Sequence, residues 1–295
     1  MQFEADLIKA LQTLSNSFTN VLWQGVSQLG TELAFLAVAV VLYWVIDKRY
    51  AYRFFNVYIL GVAVTNFLKL GFKRTRPFNA YSHEVKSIGE PESTYSFPSG
   101  HTESIASIST LLTVKYGKKY RAVPVVCAAA TLLVMISRMY LGQHYLSDVF
   151  CGLTVGIFCA IAFNALLSLF GEKEEWFVIP CVILSAVLIG VLAGLDMLNS
   201  PSGADILKGV GAFLAFGIGY FVEKKYVRYD VEINRKWYTV ALRLVIGLAV
   251  AVGIQQGFKL FLPKDISMLY CFLRYFIMAA WASLAAPALF KAVKI

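Results

Sequence analysis

Charge is scarce in this chain. Of its 295 residues only 15% are Asp, Glu, Lys or Arg, where soluble domains average about a quarter. With 58% hydrophobic residues and a mean hydropathy of +0.65, the chain is too apolar for a water-soluble protein. Histidine is scarcer still, with three in all. The five cysteines (Cys127, Cys151, Cys159, Cys181 and Cys271) fall inside apolar runs without metal-ligand spacing, which argues against zinc sites and a disulfide framework. The net charge of +9 forms no stripe or tail, which argues against nucleic acid as a partner. A positive leader region is missing too: Glu4 and Asp6 stand where it would be, so no cleavable signal peptide is expected. There is no internal repeat and no low-complexity stretch.

What the chain has is long apolar runs, each near the length a helix needs to cross a bilayer. Nine are expected: Leu29–Ile46, Ala51–Phe72, Ser99–Tyr116, Val123–Met139, Leu146–Phe170, Phe177–Leu195, Ala204–Val222, Tyr238–Phe258 and Met268–Ala292. Before them, Phe3, Leu7, Ile8, Leu11, Leu14, Phe18, Val21 and Leu22 recur at helical spacing, which suits an amphipathic helix in the membrane interface. The expected fold is therefore all-α, a polytopic transmembrane helical bundle. Lys and Arg concentrate in alternate loops (Lys48, Arg49 and Arg53; Lys115, Lys118, Lys119 and Arg121; Lys173; Lys224, Lys225, Arg228, Arg235 and Lys236; Lys291 and Lys294). The positive-inside rule makes that set cytoplasmic. Lys69, Lys73, Arg74, Arg76, Lys86 and Arg138 lie on the opposite, outer side and need another explanation.

Three short segments supply one, all expected at that outer face. Lys69-Leu-Gly-Phe-Lys-Arg-Thr-Arg76-Pro77 closes the second span, Tyr95-Ser-Phe-Pro98-Ser99-Gly100-His101 opens the third, and Ser137-Arg138-Met-Tyr-Leu-Gly-Gln-His144-Tyr-Leu-Ser-Asp148 links the fourth and fifth. Lys69, Arg76 and Arg138 suit a phosphate dianion, because guanidinium forks match phosphate oxygens. Ser99-Gly100-His101 at a helix start offers free backbone N–H groups to the same anion. His144 and Asp148, four apart, can share a helix face, and a carboxylate there fixes the imidazole tautomer and steadies the imidazolium. His144 is then the nucleophile toward phosphorus, and His101 protonates the leaving oxygen and later activates water. No metal set and no cofactor is expected among these residues. His83 lies outside every motif, and Lys73 and Arg74 read as attraction for anionic headgroups or as charges with no specific role. Arg243 and Arg274, inside apolar runs, read as salt-bridge or carbonyl contacts within the bundle, and Asp196, Asp205 and Lys208 as an outer loop rim, with substrate contact as the alternative.

Together the three segments resemble the signature of the type 2 phosphatidic acid phosphatase superfamily: Lys, six residues, Arg-Pro; Pro-Ser-Gly-His; Ser-Arg, five residues, His, three residues, Asp. The superfamily includes glucose-6-phosphatase, sphingosine-1-phosphate phosphatase and vanadium haloperoxidases. The resemblance implies that Lys69, Arg76, Ser99, Gly100 and Arg138 bind phosphate, that His101 is the general acid, and that His144 is the nucleophile oriented by Asp148. It also implies a six-helix phosphatase core over 29–195, following an interfacial helix at 1–28. About three additional spans then occupy 196–295, where no motif matches. The implied activity is metal-independent hydrolysis of a lipid phosphate, with phosphatidic acid, phosphatidylglycerol phosphate, a sphingoid-base phosphate or a polyprenyl diphosphate as substrate. Loop charges put the site at the non-cytoplasmic face, and a compact chain without a retention signal favours a bacterial cytoplasmic membrane over the endoplasmic reticulum or a similar membrane of a eukaryote. A soluble sugar phosphate is the alternative substrate. A vanadate-dependent peroxidase and a lipid transporter or scramblase are the competing classes. The partners expected are the bilayer and the phosphorylated lipid, with room for a homodimer. A bell-shaped rate profile is expected, with both histidines titrating between about pH 5 and 9.

Overall fold

A computed structural model describes residues 2–196, 198, 201–261 and 267–295. The described chain is helical: α1 (Gln2–Gln12), α2 (Ser17–Ser27), α3 (Glu32–Val41), α4 (Lys48–Phe72), α5 (Pro77–Ala80), α6 (Gly100–Tyr116), α7 (Ala122–Tyr140), α8 (Leu146–Ser168), α9 (Val178–Gly194), α10 (Pro201–Val222), α11 (Trp237–Phe261), α12 (Ser267–Ala280) and α13 (Ala286–Ala292). Among the described residues seven helices are long and apolar enough to cross a membrane, and eight if the bent pair Ser17–Gly30 and Glu32–Ile46 counts as one span.

Two of the nine expected spans differ from plain rods. The first, expected at Leu29–Ile46, is the second arm of that pair, bent by 52° at Gly30 and Thr31. The third is α6, only 17 residues long. Its polarity has a packing reason: Thr102, Glu103, Ser104, Ser107 and Ser109 are buried inside the protein and face no lipid. The amphipathic stretch at 1–28 is also interrupted. Asn16 caps α2, its side chain accepting from Thr19 N while Asn16 N donates to Thr19 Oγ1, so two short helices replace one long one.

The chain divides into two compact units, with boundaries inside α3, α4 and α8: Met1–Ala37 with Leu60–Asn164, and Val38–Ile59 with Ala165–Ile295. In the first unit, Ala5 and Ile8 of α1 pack with Val85, Met135, Met139, Tyr145 and Val149, which holds the N-terminal helix against α7 and the start of α8. Helices α6 and α8 meet backbone to backbone. A Cβ at Gly152 would lie 2.5 Å from Ser99 O, and one at Gly156 would lie 2.6 Å from Glu103 O, so only glycine permits the approach. That contact brings the N-terminus of α6 beside the N-terminus of α8.

The second unit is knit by buried polar pairs. Glu223, fully buried, binds Lys48 at 2.8 Å and Tyr229 N at 2.7 Å. Glu174, also buried, takes Arg49, Lys224 and the Tyr220 hydroxyl. Tyr52 stacks on Tyr220 at 4.0 Å. Arg243 is fully buried and donates to the carbonyls of Val231, Ile233, Trp44 and Asn234, which is the carbonyl contact its apolar setting requires. Arg274 lies over the rings of Tyr270 and Tyr275. The Asp205 side chain lies outside the described residues.

Candidate active site

All eight sequence-expected site residues fall in the first unit. Helix α7 ends at Tyr140, and a turn through Leu141–Tyr145 leads into α8. Gly142 makes that turn with φ of 72°, and a Cβ there would collide with Lys86 O, a conformation and a clearance that a side chain would spoil. Gln143 N and His144 N both return to Arg138 O. The turn therefore fixes His144 relative to Arg138 through the backbone itself.

His144 is fully buried. Its Nδ1 faces Asp148 Oδ2 at 3.5 Å without a formed hydrogen bond, and its Nε2 lies 3.2 Å from Arg76 Nη1. A guanidinium can only donate. Nε2 is therefore the accepting nitrogen and the imidazole proton sits on Nδ1, toward Asp148. Burial, and then the positive charge of Arg76, push the His144 imidazole down to about 4, against the pull of Asp148. It is thus neutral at physiological pH, with its lone pair on Nε2.

Asp148 is held from several sides. Oδ2 accepts from Tyr145 N at 2.9 Å and from the Ser96 hydroxyl, and Oδ1 accepts from Arg74 Nη1 at 2.7 Å. His144 stands in the turn ahead of α8, so the two residues meet across a helix start and not along one helical face.

The three cations expected to hold phosphate lie near one another. Arg76 is buried, donating Nε to Thr94 O at 2.7 Å and Nη1 to Gln143 O at 3.1 Å. Arg138 is buried at the end of α7 and donates Nη1 to Ser27 Oγ at 2.9 Å. Lys69, in the last turn of α4, reaches Thr94 Oγ1 at 3.2 Å, and its Nζ is 3.9 Å from where a Cβ on Gly100 would sit. Ser99 caps α6, its Oγ accepting from Thr102 N, while Ser99 N donates to Asp148 O at 3.0 Å.

One acidic side chain was not anticipated. Glu92, in the loop between α5 and α6, puts Oε2 on Arg76 Nη2 at 2.6 Å and Oε1 on Arg138 Nη2, with His101 Nδ1 3.4 Å from Oε1. Burial pushes this carboxyl up, yet Arg138 and Arg76 outweigh burial and hold it well below the usual carboxylate range. An ionised carboxylate thus bridges two of the cations assigned to phosphate. Gln143 positions it, accepting from Glu92 N at 3.4 Å and donating to Ser87 Oγ at 3.0 Å. Ser96, Thr94, Ser27 and Arg74 are further contacts that motif spacing does not reveal. Among the described residues no three His, Cys, Asp or Glu side chains converge as a metal site would need.

Residues 50–171, which contain this constellation, match the PAP2 superfamily. The chain is a member of that superfamily. Residues 207–295 match a second description, the PAP2 superfamily phosphatase, transmembrane extension, so the last helices carry a family signature that no local motif discloses. The chain is 32% identical over 110 residues to the lipid A 1-phosphatase of Rhizobium johnstonii, covering 36% of this chain and 43% of that one. It is 23% identical over 221 residues to the sphingosine-1-phosphate phosphatase 2 of Mus musculus, covering 71% and 62%. It therefore spans less than two thirds of the length of either curated relative. Among solved structures, the first transmembrane PAP2 type phosphatidylglycerolphosphate phosphatase from Bacillus subtilis aligns with a TM-score of 0.47 at 22% identity, over 58% of this chain and 87% of that one.

Proposed function

We propose that this PAP2 protein is a metal-independent lipid phosphate phosphatase working through a phosphohistidine on His144. The observation that carries the reading is Arg76, which touches both halves of the chemistry. Nη2 binds an anion, the Glu92 carboxylate, and Nη1 contacts the unprotonated Nε2 of His144. A phosphate seated in place of that carboxylate would lie between Arg76 and Arg138, next to the nucleophilic nitrogen.

The steps follow from the groups present. His144 Nε2 attacks phosphorus, the P–O bond to the lipid breaks, and the leaving oxygen takes its proton through His101. Asp148 steadies the positive charge that develops on His144. Arg76, Arg138 and Lys69 hold the charge on the equatorial oxygens, as fixed donors in a water-poor site do most effectively. His101, now neutral, takes a proton from water, the hydroxide attacks phosphorus, the P–N bond breaks, and inorganic phosphate leaves. The site lies at helix ends on the outer side inferred from loop charges, where an amphiphile's headgroup meets protein while its tail stays in lipid.

The test is phosphate release by the purified protein beside His144→Ala, with chelator present. The panel holds phosphatidic acid, sphingosine phosphate, undecaprenyl diphosphate and glucose 6-phosphate. Activity on one lipid that disappears in the variant supports the reading and names the substrate class. Release that survives the substitution, or that needs magnesium, refutes the mechanism.

A further inference from the structure

Arg74 stands two residues before Arg76, outside the motif, on the loop side of α4. It does not reach toward bulk solvent or headgroups. Its Nη1 donates to Asp148 Oδ1 at 2.7 Å and to Ser147 Oγ at 2.6 Å, and its Nη2 donates to Glu4 Oε2 at 2.9 Å. The guanidinium carbon lies 4.0 Å over the Tyr145 ring. Glu4 completes the arrangement, its Oε1 accepting from Ser147 N at 2.7 Å. A series of contacts thus runs from the N-terminal helix to the nucleophile: Glu4, Arg74 and Asp148 are joined by hydrogen bonds, and Asp148 faces His144 Nδ1 at 3.5 Å.

The order of charges in that series has a consequence. Arg74 orients Asp148 by taking its second oxygen, but a bare guanidinium there would also draw the carboxylate's field away from the imidazole. Glu4 on the far side offsets that charge and leaves Asp148 effective toward His144. The helix that carries Glu4 is fastened independently. Ala5 and Ile8 are buried, and the Gln12 side chain bonds Lys86 O at 2.8 Å, Tyr140 O at 3.0 Å and Lys86 N at 3.0 Å. These anchors grip the turn after α7 and the outer loop, which are the two segments that carry His144 and Glu92.

We infer that Glu4 and Arg74 are positioning residues for the His144–Asp148 pair, so that the amphipathic N-terminal helix is a working part of the active site. This rests on His144 being the nucleophile. Neither residue touches the phosphate cradle: the charged groups around His144 are Asp148 from α8, Arg76 ahead of α5, Arg138 from α7 and Glu92 from the loop, with His101 of α6 beside Glu92. The pair therefore acts through Asp148 alone, on the chemical step and not on phosphate affinity.

The experiment compares full-length wild type, Arg74→Ala, Arg74→Lys, Glu4→Gln and His144→Ala on the lipid that wild type hydrolyses best, recording kcat, KM and the pH dependence of kcat/KM. Arg74→Ala should lower kcat at least thirtyfold with KM within threefold. Arg74→Lys, which keeps the charge, should recover most of that loss. Glu4→Gln should lower kcat several-fold. The acid limb should move in opposite directions: upward in Arg74→Ala, where the cation on the far side of Asp148 is lost and its carboxylate acts more fully on His144, and downward in Glu4→Gln, where the anion that offsets Arg74 is lost. A general loosening of the fold would not produce opposite shifts. The inference is overturned by kcat within threefold of wild type in Arg74→Ala, by matching changes in kcat and KM, or by limbs that stay put or move together. Activity persisting in His144→Ala would instead defeat the underlying mechanism, whatever the other variants do.

Discussion

Replacing Glu92 with glutamine keeps the side chain's size and removes its charge. In the resting protein this carboxylate uses Nη2 of both Arg76 and Arg138, the donors a phosphate would need. Any phosphate reaching His144 must therefore displace it, and the measured affinity for anions contains the cost of that displacement. A hydrogen bond to a charged group contributes about 1.5–3 kcal/mol net. Glutamine can still offer its carbonyl oxygen to one arginine, so the substitution removes roughly one such bond. The expected gain in phosphate affinity is then about tenfold to a hundredfold, at 1.4 kcal/mol per factor of ten. The clean readout is the inhibition constant of inorganic phosphate against lipid hydrolysis, because it does not depend on any help Glu92 gives His101 during turnover. A lower inhibition constant in Glu92→Gln is expected. An unchanged or higher one would show that the carboxylate does not compete for the cradle, and the argument would be refuted.

Two further outcomes follow from the geometry. With the free His144 imidazole pushed down to about 4, the acid limb of kcat/KM should fall near pH 4: the reactive form is neutral, so activity is present above that pH and lost as pH drops through it. The limb of kcat should lie higher, because a bound phosphate dianion favours the imidazolium more than Glu92 does; an acid limb of kcat/KM near pH 6.5 would mean that burial does not depress this histidine. Gly152→Ala should destabilise the protein by about 1–3 kcal/mol, since its Cβ would meet Ser99 O at 2.5 Å, whereas Gly190→Ala, with nothing within 4 Å, serves as the control. Equal unfolding midpoints for the two variants would contradict the tight contact of α6 with α8.

How far the sequence carried depends on what kind of signal each feature leaves. The three motif segments are legible because their chemistry depends on residue type at fixed spacing, and the structure brings Lys69, Arg76, Gly100, His101, Arg138, His144 and Asp148 into one region. The apolar runs are legible because bilayer thickness fixes their length. The acid limb was expected above pH 5 because spacing says nothing of the burial that lowers the His144 imidazole. Glu92 and Ser96 sit in a loop without periodicity, where nothing but the tertiary fold decides what a side chain meets. Arg74 was visible but read as a headgroup attractant, since its partner Asp148 lies 74 positions away in the chain. Glu4 argued only against a leader peptide, yet it lies at the start of the series ending on His144. The capping pair Asn16 and Thr19 was a readable sign that the N-terminal stretch breaks in two. The long amphipathic pattern across it concealed that sign.

The carboxylate between Arg76 and Arg138 also changes what kind of event ligand entry is. A cradle of bare cations would capture a dianion by shedding counterions, and its affinity would fall steeply as salt rises. Here an anion is already in place and covalently part of the chain, so under the proposed function entry would be an exchange of one anion for another. The charge of the site then changes by less than the full charge of the ligand, and affinity should depend only shallowly on ionic strength. The Glu92 side chain would be the half of that exchange supplied by the protein itself.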